Sequence, residues 1–352
     1  MKIRKSKLML LIALITALSI LAAACGGNAE GSGESDTGAV GSGAADGLTK
    51  ATLILDWTPN TNHTGVFVAK SLGYYEDAGL DLDIQQAADG NVEQLIAAGQ
   101  GDFGISMQEA MNYALTQDDP LPIKSIAAII QHNTSGFISL PEAGIESPAD
   151  WAGKTYGGWG SPSEENVIGY IAGKYGVSYD DINYVMLGED DILTALKGDI
   201  DFAWSYEAVE NVYLKKQGET YNFILAASVD EALDYYTPLL ITSDRMIEED
   251  PETVRAFLYA TSRGYEYAIA HPGESAEILL KEAPELDEYV VKEGQNYLSG
   301  RYAEGAPQWG WQREEVWKRY ADLMYRNGEL PKELDVESAF TNEFLPEREA
   351  AR

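Results

Sequence analysis

The sequence predicts an α/β fold of two lobes built on one plan, and three observations carry that expectation. Helix-like and strand-like patterns alternate along the chain instead of clustering by type. About 300 residues remain once an N-terminal leader and tether are set aside, enough for two lobes. A six-residue pattern also recurs. Gly99-Gln100-Gly101-Asp102-Phe103-Gly104 aligns with Gly198-Asp199-Ile200-Asp201-Phe202-Ala203, each after a short apolar helix and each opening a strand.

Residues 1–24 read as a signal peptide. Lys2, Arg4, Lys5 and Lys7 form its charged region, and residues 8–24 form an apolar run broken only by Thr16 and Ser19. That run falls short of the roughly 20 residues a membrane-spanning helix needs and ends in small side chains. Leu21-Ala22-Ala23-Ala24-Cys25 resembles a bacterial lipobox, with Ala22 where leucine is usual, and makes Cys25 the lipidated residue. As the only cysteine in the chain, it leaves no internal disulfide and no thiolate metal cluster. Residues 25–47 then read as a lipid-bearing cysteine and a flexible tether. Residues 26–47 contain eight glycines, three serines, four acids and no base, and such a segment reaches roughly 26 Å. The formal charge of −32 at pH 7 becomes four units more negative without the leader. This argues against nucleic acid and against an anionic bilayer surface as partners; a solvated acidic coat accounts for it.

In the folded part, 53–55 reads as a buried strand and 66–75 as an amphipathic helix. Between them lies Asp56-Trp57-Thr58-Pro59-Asn60-Thr61-Asn62-His63-Thr64-Gly65. A strand-to-helix turn sits at the carboxyl end of the sheet, where α/β folds bind ligands. With Trp57, Asp56, Asn60, Asn62 and His63, this one suits something flat and polar. Residues 80–85 alternate as a strand, 92–98 form a short helix, and 103–105 form a buried strand with Ser106, a candidate contact, at its end. The G-x-G-x-x-G of residues 99–104 has its helix before and its strand after, the reverse of the dinucleotide order, so that reading is excluded.

The apolar strand 126–130 ends in the polar turn Gln131-His132-Asn133-Thr134-Ser135-Gly136. Strand 154–156 runs into Gly157-Gly158-Trp159-Gly160-Ser161-Pro162-Ser163-Glu164-Glu165. Here Ser161 fits an N-cap, Pro162 the first helical position and Glu164 the third. The glycines would let backbone amides approach a ligand closely. Glu164 and Glu165 would repel a dianion, and no Lys or Arg occurs between Lys154 and Lys174, so a neutral ligand is favoured over a phosphate.

Trp204-Ser205-Tyr206-Glu207 follows the strand of the second repeat, and Tyr235 and Tyr236 precede a strand at 239–242. An aromatic sandwich with one carboxylate suits a flat heterocycle bearing amino groups: stacking supplies contact area and Glu207 accepts N–H bonds. At least one of these aromatics packs in the core. His63, His132 and His271 have no partner at zinc-ligand spacing, and neither H-E-x-x-H nor G-x-S-x-G occurs, which weakens hydrolase and metalloenzyme readings. His271, before Pro272, reads as the cap of a long helix.

Lipobox, tether, the Asp56–Gly65 motif, Gln131-His132-Asn133-Thr134-Ser135-Gly136 and the Gly157-Gly158-Trp159-Gly160 loop together resemble a substrate-binding lipoprotein of a bacterial ABC importer. The resembling branch is that of thiamine-pyrimidine-precursor (formylaminopyrimidine) binders and covers the chain from Lys50 to about Phe344. The resemblance implies a two-lobed periplasmic-binding-protein fold (type II) with ligand in the cleft. Lobe one would comprise 48–136 and 241–344, lobe two 137–240, with hinges near 137–141 and 236–242 and a C-terminal tail at 345–352. Trp309, Trp311 and Trp317 would pack the C-terminal part onto lobe one, with Trp309 a possible cleft contact.

The ligand implied is N-formyl-4-amino-5-aminomethyl-2-methylpyrimidine or a relative, passed to ABC permease subunits by a monomeric, lipid-anchored protein on the extracytoplasmic face of the cell membrane. No cofactor is implied. Trp57, Tyr206 and Tyr235 would stack the ring, Glu207 would accept from its amino group, and Asn60, His63 and Asn133 would bond its edge. Ser106, Gly157, Trp159 and Ser161 complete the implied set. The same branch contains fungal thiamine pyrimidine synthases, in which a histidine matching His63 is consumed and a cysteine-rich motif binds iron. The matching stretch here, Asp234-Tyr235-Tyr236-Thr237-Pro238-Leu239-Leu240, has no cysteine, which argues against the enzyme. A flavin or another small heterocycle is the remaining alternative; a sulfonate would want a base that neither loop supplies.

Overall fold

The six-residue repeat marks equivalent corners of two sheets. The computed structural model describes residues 47–87, 91–160, 162–187 and 191–347; the expectations for the leader, Cys25, the tether to residue 46, Ser161 and the last five residues lie outside them. Ten strands are present among the described residues: β1 (Thr49–Leu55), β2 (Leu80–Gln86), β3 (Phe103–Ser106), β4 (Ile123–Ala128), β5 (Ser135–Ser139), β6 (Thr155–Gly158), β7 (Asn183–Met186), β8 (Phe202–Tyr206), β9 (Asn222–Leu225) and β10 (Leu239–Ser243). They form two five-stranded sheets ordered β2-β1-β3-β10-β4 and β7-β6-β8-β5-β9.

In the first sheet β1 runs parallel to β2 and β3, while β10 runs antiparallel to β3 and β4. In the second, β6 runs parallel to β7 and β8, while β5 runs antiparallel to β8 and β9. The two orders correspond strand for strand. The repeat's aspartates do the same job in each. Asp102 Oδ2 accepts from the Thr52 N–H and Asp201 Oδ2 from the Thr155 N–H, both at 2.8 Å. Each aspartate N–H in turn donates to the same threonine's carbonyl. The carboxylate thus satisfies a strand amide and fixes the turn that feeds the next parallel strand. This is the two-lobed α/β architecture that the sequence predicts.

The chain passes between the sheets twice, at 129–134 and at 226–238, and one carboxylate joins the passes. Asp234 accepts from the Asn133 N–H at 2.9 Å and from His132 Nδ1 at 2.7 Å. Asn133 Nδ2 donates to the Leu233 carbonyl, and its Oδ1 accepts from the Ser135 N–H and hydroxyl. The boundaries expected at 136/137 and 240/241 instead fall inside β5 and β10. The polar turn itself is the connector, because its side chains are consumed in fastening the crossing.

Around the first sheet, the helices Thr64–Ser71 and Pro251–Ala270 meet backbone to backbone. A Cβ on Gly264 would lie 2.0 Å from the Gly65 carbonyl oxygen, and one on Gly65 would lie 2.3 Å from the Tyr265 ring. The Asp56–His63 turn is therefore pinned at its helical end. The helix expected over 66–75 stops at Ser71 and restarts at Tyr74. Trp309 is buried, stacks on Tyr265 at 4.4 Å and donates to the Ile129 carbonyl, so it belongs to the core and not to the cleft. Trp311 packs partly buried against the same core.

The second core gathers Phe137, Trp151, Tyr156 and Phe202. Helix Glu314–Arg326 serves both: Trp317 stacks on Phe340 within the first sheet's side, whereas Tyr320, Leu323 and Met324 join the second. His271 caps the end of Pro251–Ala270, as expected. Among the described residues no helix is long and apolar enough to cross a membrane.

The hydrogen bond from His132 to Asp234, opposed by partial burial, holds that imidazole above its ordinary value. A group raised in the folded state contributes fully below about pH 6.5 and is lost as pH rises through its folded value. Asp234→Asn should lower stability by about 1–3 kcal/mol. It should also abolish the part of the stability loss that wild type shows above pH 6.5, both read from urea unfolding between pH 5 and 9.

Candidate ligand cleft

The turn after β1 is organised by Asn60. Its Oδ1 accepts from the Asn62 N–H at 2.9 Å and its Nδ2 donates to the Thr58 carbonyl. Its own N–H donates to His63 Nδ1 at 3.3 Å, a reciprocal cap on the short turn Thr61–His63. With Nδ1 accepting, the ring proton sits on Nε2, which donates to Asp56 Oδ1 at 2.8 Å. His63 is fully buried, and both its nitrogens are engaged. It orients Asp56, and Trp57, 67% exposed, stands out beside it.

The Asp56 charge reaches two further groups. Glu93, in the first turn of helix Val92–Ala97, is raised by burial and secondarily by Asp56, and accepts a short hydrogen bond from the Ser106 hydroxyl. Tyr206, at the end of β8, is raised by burial and then by Glu210, Glu109 and Asp56, with a hydrogen bond to Thr237 opposing. Charges from the first sheet's side (Asp56, Glu109) and the second's (Glu210) therefore converge on one phenol. Glu210 Oε2 accepts from the Tyr206 N–H at 2.7 Å, and burial raises its carboxyl.

The glycine loop after β6 is turned inward. The Trp159 and Gly160 N–H groups donate to the Glu164 carboxylate at 3.1 and 2.7 Å, and the Tyr156 hydroxyl donates at 2.6 Å. Gly158 permits this, since a Cβ there would lie 2.3 Å from Glu164 Oε1. Gly157 makes room for Ile200 and Leu187. Trp159, 49% exposed, meets the buried Trp204 edge to face at 5.7 Å.

The structure thus puts Asp56, Trp57, Ser106 and Tyr206 at or just past the carboxyl ends of β1, β3 and β8. It places others behind them. Asn133 fastens the crossing, and Tyr235 is buried and stacked on Tyr320 at 3.9 Å. Glu207 Oε2 accepts from the Tyr297 hydroxyl at 2.7 Å and so turns toward helix Glu288–Ser299. Ser161 lies outside the described residues. Glu93, Glu109 and Glu210 are absent from the sequence reading. Each is an acid in the first turn of a helix, where complementing the helix dipole is explanation enough. The available signal was position: each of those helices follows the carboxyl end of a strand or the loop after it.

Residues 60–275 match the family described as NMT1/THI5 like. The chain belongs to the NMT1/THI5-like family. It is 27% identical over 304 residues to the formylaminopyrimidine-binding protein of Halalkalibacterium halodurans, covering 84% of this chain and 91% of that one. It is also 27% identical over 313 residues to the riboflavin-binding protein RibY of Chloroflexus aurantiacus, with 85% and 87% covered. A third NMT1/THI5-like relative is the 4-amino-5-hydroxymethyl-2-methylpyrimidine phosphate synthase THI5 of Saccharomyces cerevisiae, 26% identical over 308 residues, with 84% and 88% covered. In fold the chain resembles the periplasmic aliphatic sulphonate binding protein SsuA of Escherichia coli, with a TM-score of 0.66 at 16% identity over 86% of this chain and 95% of that one. Its architecture is that of the periplasmic binding proteins.

Glu164→Ala should strand the buried Tyr156 hydroxyl together with the Trp159 and Gly160 N–H groups and lower stability by about 1–3 kcal/mol. The exposed neighbour Glu165→Ala should stay within about 0.5 kcal/mol of wild type. Urea denaturation of the two variants makes the comparison.

Proposed function

We propose that this chain is a lipid-anchored solute-binding protein on the extracytoplasmic face of the membrane. It captures an unphosphorylated aminopyrimidine of the thiamine-precursor class, N-formyl-4-amino-5-aminomethyl-2-methylpyrimidine or a near relative, and delivers it to an ABC permease. The observation that carries this reading is that Asp56 and Trp57 follow β1 and Tyr206 ends β8, the carboxyl ends of one strand in each sheet, with Glu210 bound to the Tyr206 N–H. A flat ring with amino donors needs an aromatic face and several acceptors, and this corner offers both. The 27% identity to a formylaminopyrimidine-binding protein supports the same class.

In this reading Trp57 and Tyr206 contribute ring faces, Glu210 takes the part expected of Glu207, and Asp56 is aimed by His63. The reading is of a binding protein and not of an enzyme. His63 has both ring nitrogens engaged, and the stretch 234–240 has no cysteine to hold iron. A flavin-sized ligand is the second reading, favoured by the exposed Trp159 beside Trp204, which would widen the aromatic floor.

The acids make a phosphate an unwelcome guest. Calorimetry at low salt should find 4-amino-5-hydroxymethyl-2-methylpyrimidine bound at least about tenfold more tightly than its phosphate, about 1.4 kcal/mol. Glu210→Gln should weaken binding about tenfold or more, while Glu207→Gln stays near wild type. Equal binding of the phosphate would defeat the ligand assignment, and tighter binding of riboflavin would favour the second reading. The anchor has its own check: metabolic labelling with a palmitate analogue should mark the wild-type chain and leave Cys25→Ser unlabelled.

A further inference from the structure

A glycine inside a helix is about 1 kcal/mol less favourable than alanine, yet helix Glu288–Ser299 carries one near its middle, the buried Gly294. The reason is close contact with two separate turns. A Cβ on Gly294 would lie 2.4 Å from the Ala208 carbonyl oxygen and 3.4 Å from Thr61 Cγ2. Thr61 belongs to the Asp56–His63 turn after β1, and Ala208 lies between Tyr206 and Glu210 after β8. One bare position of one helix therefore touches a strand-end turn from each sheet.

The helix is fixed on both sides. Toward the first sheet, Val291 and Leu298 enter its core, and Gln295 Nε2 donates to the Ala268 carbonyl at 3.4 Å. Just past the helix, the Tyr302 hydroxyl donates to the Thr61 carbonyl at 2.6 Å. Toward the second sheet, the Tyr297 hydroxyl donates to Glu207, and Lys216 pairs with Asp287, the N-cap of the helix. Ala208 itself follows a strand of the second sheet but is buried in the first sheet's core. The neighbouring Glu207 N–H donates to the Thr134 carbonyl of the first crossing at 3.2 Å. The crossings tie the sheets together; this helix bears on the turns themselves.

We propose that Gly294 is a positioning residue for the cleft. Its missing side chain lets helix Glu288–Ser299 rest on the β8 turn while it holds the β1 turn, and so sets how far Tyr206 and Glu210 stand from Asp56 and Trp57. That this spacing serves a ligand rests on the binding role proposed above; the spacing itself does not. The Ala208 oxygen is main chain and cannot swing aside as a side-chain tip does. A methyl on Gly294 would drive it back by about 1 Å to ordinary contact. Tyr206 and Glu210 flank Ala208 by two residues on either side and would move with it. A small flat ligand gripped between fixed groups loses its fit when they part by that much.

The test reads spacing and binding separately. Gln100 and Asp199 are exposed, equivalent positions of the six-residue repeat, one beside each sheet. Spin labels on Gln100→Cys and Asp199→Cys in the full chain, with Cys25→Ser to confine labelling to those two sites, report the distance between the lobes by double electron–electron resonance without ligand. Gly294→Ala should shift that distance or broaden its distribution. Gly300→Ala, at the end of the same helix with nothing within 4 Å of the new methyl, should leave it at the wild-type value. Calorimetry with 4-amino-5-hydroxymethyl-2-methylpyrimidine, at a temperature where all three proteins are folded, should find Gly294→Ala about tenfold weaker and Gly300→Ala within about twofold of wild type. If Gly294→Ala does not fold, Ala208→Val, which adds bulk to the same joint from the facing turn, decides by the same two measurements. Lower stability with an unmoved distance would overturn the proposal, and so would a moved distance with unchanged affinity. A wild type that fails to bind the pyrimidine would sink the ligand assignment, and the distance alone then decides the spacing.

Discussion

Everything about this molecule depends on two chain crossings being held side by side. A chain that starts in one sheet, enters a second and returns must place two irregular segments in one narrow strip, where backbone amides lose solvent and regular pairing is absent. Asp234 resolves this for the first crossing by taking one backbone N–H and one imidazole N–H, and Asn133 completes the bracket toward Leu233 and Ser135. Because the fastening is made by side chains of adjacent turns and not by strand pairing, the sheets on either side can keep their own register. The strand ends that face each other across the cleft inherit their spacing from it.

The duplicated plan has an electrostatic corollary. Strands β3, β6 and β8, and the loop after β2, each lead into a helix whose first turn carries an acid: Glu109, Glu164, Glu210 and Glu93. Helix N-termini pointed at a cleft ordinarily welcome anions. Here each arrives already complemented, and burial raises Glu93 and Glu210 above the usual carboxylate range. Their oxygens give the corner acceptors for hydrogen-bond donors.

Much of the fold was legible because its signals are local. The apolar runs at β1, β3 and β10, the alternation of β2 and the repeated aspartate before Phe103 and Phe202 each report a backbone state that neighbours alone dictate. The crossings were displaced by a few residues, since a polar turn gives no sign of whether its side chains face a ligand or a second segment a hundred residues away. The site was legible in part. Asp56, Trp57 and Tyr206 stand where strand-end reasoning puts them, but buried His63 is spent on Asn60 and Asp56 within its own turn, and Asn133 and Tyr235 serve neighbours distant in sequence. Glu207 and Glu210 differ by three positions around the start of helix Glu210–Lys216, and only contact with Tyr297 of helix Glu288–Ser299, ninety residues on, shows Glu207 to be taken up by that helix.

The closed bracket at Glu164 bears on how such a protein could change its cargo. The glycine loop after β6 is not vacant; it already holds an anion, and that anion is tethered. A carboxylate fixed four or five residues from the amides it serves is present at an effective concentration that no free solute reaches. An oxyanion-bearing solute would have to evict it before meeting a single loop amide, and the evicted charge would remain nearby. Natural variation toward phosphorylated or sulfonated cargo would thus begin with the loss of Glu164 and not with the gain of a base. Until that step, added arginines around the loop would attract anions to a doorway whose lock is occupied from within.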